Sequence, residues 1–121
     1  MKERLLIIED NNFMMALLKN IFEPQFNVCC MSNGYEALEW IHEGNIPNLI
    51  ISDLRMPEMD GIEFLNNLKG SIFYRNIPLI MLSGVDKSGD RIQCLQMGAD
   101  DFVVKPFNPE ELIIRVEKLL K

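Results

Sequence analysis

Five times along this chain a short apolar run gives way to a stretch with helical periodicity. No other feature restricts the fold as much. The runs "RLLIIE" (4–9), "FNVCCM" (26–31), "NLIIS" (48–52), "IPLIML" (77–82) and "DFVV" (101–104) have the length and content of buried strands. Helices are predicted between and after them, over 12–22, 34–43, 62–69, 87–97 and 109–120. The first carries Met14, Leu17, Leu18, Ile21 and Phe22 at i, i+3, i+4, i+7 and i+8, and Pro24 ends it. Ala37, Leu38 and Ile41 mark the inward face of the second, and Ile62, Leu65 and Leu68 that of the third. The last is the clearest, with Asn108 as N-cap, Pro109 in the first turn, Glu111 closing a capping box, and a stripe of Leu112, Ile113, Val116, Leu119 and Leu120. The fourth is the thinnest. Its apolar face is expected on Ile92, Leu95 and Met97, with glycines at 84, 89 and 98.

Strand then helix, repeated five times, implies an α/β fold: a doubly wound five-stranded parallel sheet with helices on both faces. Right-handed crossovers leave few topologies, and the flavodoxin-like order 2-1-3-4-5 fits. With 121 residues and no repeat, linker or low-complexity stretch, residues 1–121 are expected to form one domain. In such sheets ligands sit beyond the carboxyl ends of the strands, here at the switch point between strands 1 and 3.

Composition excludes several classes. The net charge is −6, and no basic cluster is present to hold nucleic acid. No run of eighteen apolar residues occurs, and the apolar block in "MKERLLIIED" is too short for a secretory signal. A cytoplasmic location, away from any membrane, is therefore expected. Cys29, Cys30 and Cys94 have no metal spacing; the adjacent pair should face opposite sides of a strand, and all three read as reduced thiols.

The residues that follow the strands carry the chemistry. Glu9 and Asp10 follow strand 1, Asp53 follows strand 3, Ser83 follows strand 4, and Lys105 with Pro106 follows strand 5. In a parallel sheet all of these lie on one edge. Any one alone is ordinary turn or capping chemistry; the set is not. Three carboxylates and one ammonium leave a formal charge of −2, which a divalent cation would offset. A few carboxylates with room for water suit Mg²⁺, whereas zinc wants His or Cys and His42 lies in the second helix. A carboxylate beside that ion can attack phosphorus, with Lys105 and the Ser83 hydroxyl contacting the phosphoryl oxygens.

These segments resemble the receiver domain of two-component response regulators over essentially the whole chain. "LLIIED" resembles the family's opening strand and acidic pair, and "LIISDLRMPEMDG" its phosphoacceptor strand and loop. "IPLIMLSG" resembles its hydroxyl-ended strand, and "GADDFVVKPF" its lysine–proline motif. The resemblance implies that Asp53 accepts a phosphoryl group from a sensor histidine kinase or phosphotransfer protein. It implies Mg²⁺ held by Asp10, Asp53 and the backbone carbonyl of Arg55, with Glu9 acting through water. Lys105 would contact the phosphoryl group and precede a cis bond to Pro106. Ser83 and Phe102 would form the switch, and helix 4, strand 5 and helix 5 the output surface. The chain would not be an enzyme beyond its own phosphorylation and dephosphorylation.

Arg55 and Val85, two residues past Asp53 and Ser83, are expected to set phosphoryl lifetime. Val85 cannot orient water, and Arg55 could pair with an incoming anion or with Glu58. Slower self-dephosphorylation than in Arg55→Asn follows. Helix 4, with its poor stripe, is expected to be the least stable element and to carry the switch. With no output domain after Lys121, the chain is either a stand-alone regulator acting on a target protein or a piece of a larger one. An aspartyl phosphotransferase would want an acid where Arg55 stands. A flavin carrier would want a hydroxyl- and Gly-rich loop where "EDNNF" stands. A degenerate docking receiver is disfavoured because every reactive position is filled.

Overall fold

The computed structural model describes residues 2–84 and 88–121, and of Ser88 the backbone only. Val85, one of the two expected lifetime residues, lies outside the described residues. The elements alternate as β1 (Glu3–Ile8), α1 (Asn12–Phe22), β2 (Phe26–Met31), α2 (Gly34–His42), β3 (Leu49–Asp53), α3 (Gly61–Lys69), β4 (Leu79–Ser83), α4 (Ser88–Gln96), β5 (Asp101–Val104) and α5 (Pro109–Leu119). The five strands are parallel in the order β2-β1-β3-β4-β5. The flavodoxin-like expectation is met.

Period-two alternation divides the core into two layers. Leu6, Ile8, Ile50, Leu79 and Met81 face α2, α3 and α4, whereas Leu5, Ile7, Leu49, Ile51, Ile80 and Leu82 face α1 and α5. Cys29 joins the first layer and Cys30 the second, so the adjacent thiols do point to opposite faces. Burial raises the pKa of Cys29, Cys30 and Cys94, which keeps them protonated.

Among the described residues, four helices start on an Asn or Asp whose side chain accepts from the backbone N–H three residues on. Asn11 accepts from Met14, Asn33 from Glu36, Asp60 from Glu63 and Asn108 from Glu111. Each such cap contributes about 1 kcal/mol. Together they fix where the chain turns from strand to helix, on the edge where the carboxyl ends of the strands emerge.

Three expected inward faces need correction. In α3 the buried row is Gly61, Phe64, Leu65 and Leu68, while Ile62 is half-buried. In α1 Leu17 is exposed and Leu18 and Phe22 carry the burial. At α4 two of the three expected positions fail: Ile92 and Leu95 are 53% and 45% exposed, whereas Met97, just past the helix, packs half-buried against the first layer and the side chain that enters the core is Cys94. A small thiol lets α4 lie on the sheet with little apolar burial, so packing contributes less to this helix than to α5. Trp40, Met56 and Met59 are half-buried against the first layer, as packing residues. Among the described residues no helix is long and apolar enough to cross a membrane.

Candidate functional site

The register delivers the site. β1 and β3 are neighbours with Ile8 opposite Ser52, so Glu9 and Asp53 leave the sheet side by side. Asp53 closes β3 rather than following it. Ser83 likewise closes β4, because Leu54 N–H still donates to the Leu82 carbonyl and Lys105 N–H to the Ser83 carbonyl. Gly61 is required behind Asp53. Its N–H donates to the Leu54 carbonyl at 2.9 Å, and a Cβ on it would collide with the Asp53 carbonyl and lie 2.9 Å from the Met81 sulfur. Only glycine lets α3 begin this close to β3.

Oxygen atoms of Glu9, Asp10 and Asp53 lie within 4.8 Å of one another. Lys105 Nζ donates to Glu9 Oε1 and to Asp53 Oδ1, each at 3.1 Å. Glu9 is 1% exposed, and its second oxygen accepts from the Asn11 N–H at 3.0 Å. Asp53 Oδ1 also accepts from the Leu54 N–H at 2.9 Å. Asp10 faces solvent.

The charges follow from this geometry. Burial pushes the Glu9 pKa above its ordinary value, and the Asp53 charge adds to the rise. The Asn11 N–H and Lys105 pull the other way without cancelling it. Burial also works against the Lys105 ammonium, but the Asp53 and Glu9 carboxylates outweigh it and hold its pKa above the ordinary lysine value. Lys105 is thus a fixed cation. One ammonium against three carboxylates leaves the cluster electron-rich, and its all-oxygen donors suit a hard divalent ion that keeps some of its water.

Beside the cluster opens a cleft of about 290 Å³ lined by Asp53, Leu54, Arg55, Ser83, Gly84, Asp90 and Lys105. Ser83 is 3% exposed and Phe102, on β5, is 5% exposed. The Arg91 guanidinium of α4 lies over the Phe102 ring at 5.3 Å from its centroid. The Lys105–Pro106 peptide is cis. The structure thus brings Glu9, Asp10, Asp53, Ser83 and Lys105 to one edge. Arg55 lines the cleft, but its side chain pairs with Asp90 at 3.4 Å, not with the expected Glu58. Asp90 and Arg91 were not among the sequence candidates, since nothing in a thin helix 35 residues downstream marks a contact with Arg55.

Comparison with known proteins agrees with this geometry. A family described as "Response regulator receiver domain" matches residues 5–117. The transcriptional regulatory protein SrrA of Staphylococcus aureus is 37% identical over the full chain, which spans 49% of SrrA; the chain thus covers about half the length of the curated relatives it matches. The receiver domain of the Francisella response regulator 1452 superposes with a TM-score of 0.89 at 34% identity, covering 98% of this chain and 97% of that one. The receiver domain of the Pseudomonas aeruginosa sensor histidine kinase PA1611, solved with a magnesium ion coordinated in its active-site cleft, gives a TM-score of 0.89. It is 26% identical and covers 99% of this chain and 98% of the other.

Proposed function

The chain belongs to the response regulator receiver domains of two-component signalling, and from that premise we propose that Asp53 is its phosphoacceptor and that phosphorylation switches the α4–β5–α5 surface. The observation that carries the reading is the placement of Lys105, its ammonium shared between Glu9 and Asp53 while Asp10 completes the carboxylate group.

The donor would be a phosphohistidine on a sensor histidine kinase or phosphotransfer protein. Asp53 Oδ1 already accepts two hydrogen bonds, so attack falls to the other oxygen. An O–P bond forms, the N–P bond of the donor breaks, and the leaving imidazole takes up a proton. Asp10, Asp53 and the Arg55 carbonyl would hold Mg²⁺, with Glu9 reaching it through water. The PA1611 receiver, with magnesium coordinated in its own active-site cleft, supports that choice of ion. When bound, the ion supplies charge neutralisation for the phosphoryl oxygens. Lys105 contacts one phosphoryl oxygen and the Ser83 hydroxyl donates to another, which draws Ser83 toward Asp53 and lets Phe102 respond.

α4 is the helix best suited to move, because among the described residues its buried side chain is the small Cys94 alone. Its exposed Ile92 and Leu95, with Ile114 on α5, give the output surface apolar contacts for a target protein or an output domain. The site acts only on itself, through phosphoryl uptake and loss. The test is to incubate the protein with Mg²⁺ and acetyl phosphate and measure its intact mass. One phosphoryl group should appear and should be absent from Asp53→Asn. No addition, or addition that survives Asp53→Asn, rejects the assignment.

A further inference from the structure

Arg55 stands two residues past Asp53, in the β3–α3 loop, and its Nη2 donates to Asp90 Oδ2 on the first turn of α4 at 3.4 Å. Both residues line the cleft that Asp53, Ser83 and Lys105 line. An ion pair between two separate elements therefore flanks the space a phosphoryl group on Asp53 would fill.

We propose that Arg55 is a ligand of that phosphoryl group, held in reserve by Asp90, and that phosphorylation draws the guanidinium off Asp90 and frees the first turn of α4. This rests on Asp53 being the phosphoacceptor. The pair is built to be exchanged. Among the described residues it is a single contact, long for a charge-assisted hydrogen bond, and the Arg55 side chain is 65% exposed, although that of Asp90 is only 17% exposed. A phosphoryl group carries nearly two negative charges and three acceptor oxygens, and it accepts the planar guanidinium fork bidentately. Lys105 is already divided between Glu9 and Asp53, so among the described residues the added charge falls on a cluster with no other fixed cation of its own. The loss of Arg55 from Asp90, whose side chain is 17% exposed, is offset in part because a carboxylate in the first turn of a helix is stabilised by the helix dipole. The next residue, Arg91, covers the Phe102 ring, so release at Asp90 acts directly beside that aromatic.

The test is titration of the protein in Mg²⁺ with beryllofluoride, a stable mimic of an acyl phosphate, in the natural chain, Arg55→Ala, Arg55→Lys, Asp90→Asn and the double variant Arg55→Ala/Asp90→Asn. Arg55→Ala should weaken binding about tenfold, and Arg55→Lys, which keeps the charge without the fork, should recover part of it. Asp90→Asn should tighten binding about two- to fivefold, because a long ion pair with one exposed partner no longer competes for the guanidinium. The double variant should match Arg55→Ala alone. Asp90→Asn leaving affinity unchanged or lower, or shifting it equally with and without Arg55, overturns the exchange. Asp53-dependent binding with that result removes this inference alone. No binding by the natural chain, or binding indifferent to Asp53→Asn, removes the phosphoacceptor reading with it.

Discussion

Lys105→Met separates the charge of Lys105 from its bulk. Methionine keeps most of the apolar stem, so packing is nearly conserved and the ammonium is what is lost. The cation now bridges Glu9, whose side chain is 1% exposed, and Asp53, whose side chain is 12% exposed, at 3.1 Å each. Removing one partner of a buried pair costs about 3–5 kcal/mol. Because Asp10 faces solvent and Asp53 touches it, the lower end applies, roughly 3 kcal/mol. For a chain of this length, that lowers Tm by roughly 12 °C without divalent ions. The variant leaves three carboxylates within 4.8 Å and, among the described residues, no ammonium with them, so it should bind Mg²⁺ more tightly than the natural protein. At an Mg²⁺ concentration a hundred times Kd, binding returns about 2.7 kcal/mol. Thermal melts followed by circular dichroism, with and without Mg²⁺, read both effects. A Tm loss below about 4 °C, together with an Mg²⁺ shift no larger than that of the natural chain, would refute the reasoning, because the carboxylates would then not be sharing one charge balance.

Three further outcomes follow from the same geometry. Gly61→Ala should destabilise by about 2 kcal/mol or more, because the new Cβ meets the Asp53 carbonyl and Met81, and it should slow phosphorylation by acetyl phosphate; a neutral variant would mean that α3 can retreat freely. The folded-state pKa of Lys105 lies above its ordinary 10.5, so its ion pairs stabilise fully below that pH and lose their effect as pH rises through the folded value. The urea-midpoint difference between the natural chain and Lys105→Met should therefore hold from neutral pH to about 10.5 and shrink above it, and growth there would contradict the sign. In unphosphorylated protein, α4 amides should exchange faster than those of α5, which buries Leu112 and Val116 where α4 buries Cys94; equal protection would remove α4 as the weak element.

Most of the fold was legible because two periods, 2 and 3.6, alternate cleanly and a parallel sheet has few right-handed windings. The reactive set was legible for a related reason: a parallel sheet places every strand's carboxyl end on one edge, so Glu9, Asp53, Ser83 and Lys105 could be grouped without coordinates. What the sequence hid was detail of facing and pairing. Ile92 and Leu95 read as an inward stripe by hydrophobicity, yet the smaller Cys94 enters the core and leaves them outside. Phe64 displaced Ile62 from the inner row of α3 because Gly61, Phe64, Leu65 and Leu68 share the i, i+3, i+4, i+7 face that the close start at Gly61 turns toward the sheet. The Arg55–Asp90 and Arg91–Phe102 contacts depend on how far α4 leans over the cleft, and no periodicity encodes that.

The most direct measurement is a crystal structure of the protein grown with Mg²⁺ and beryllofluoride. It should show one ion bound by Asp10 and Asp53 oxygens, the beryllofluoride on Asp53, and Lys105 on one of its fluorides. An ion bound away from Asp10, or a Lys105 that stays on Glu9 and leaves the beryllofluoride untouched, would contradict the account.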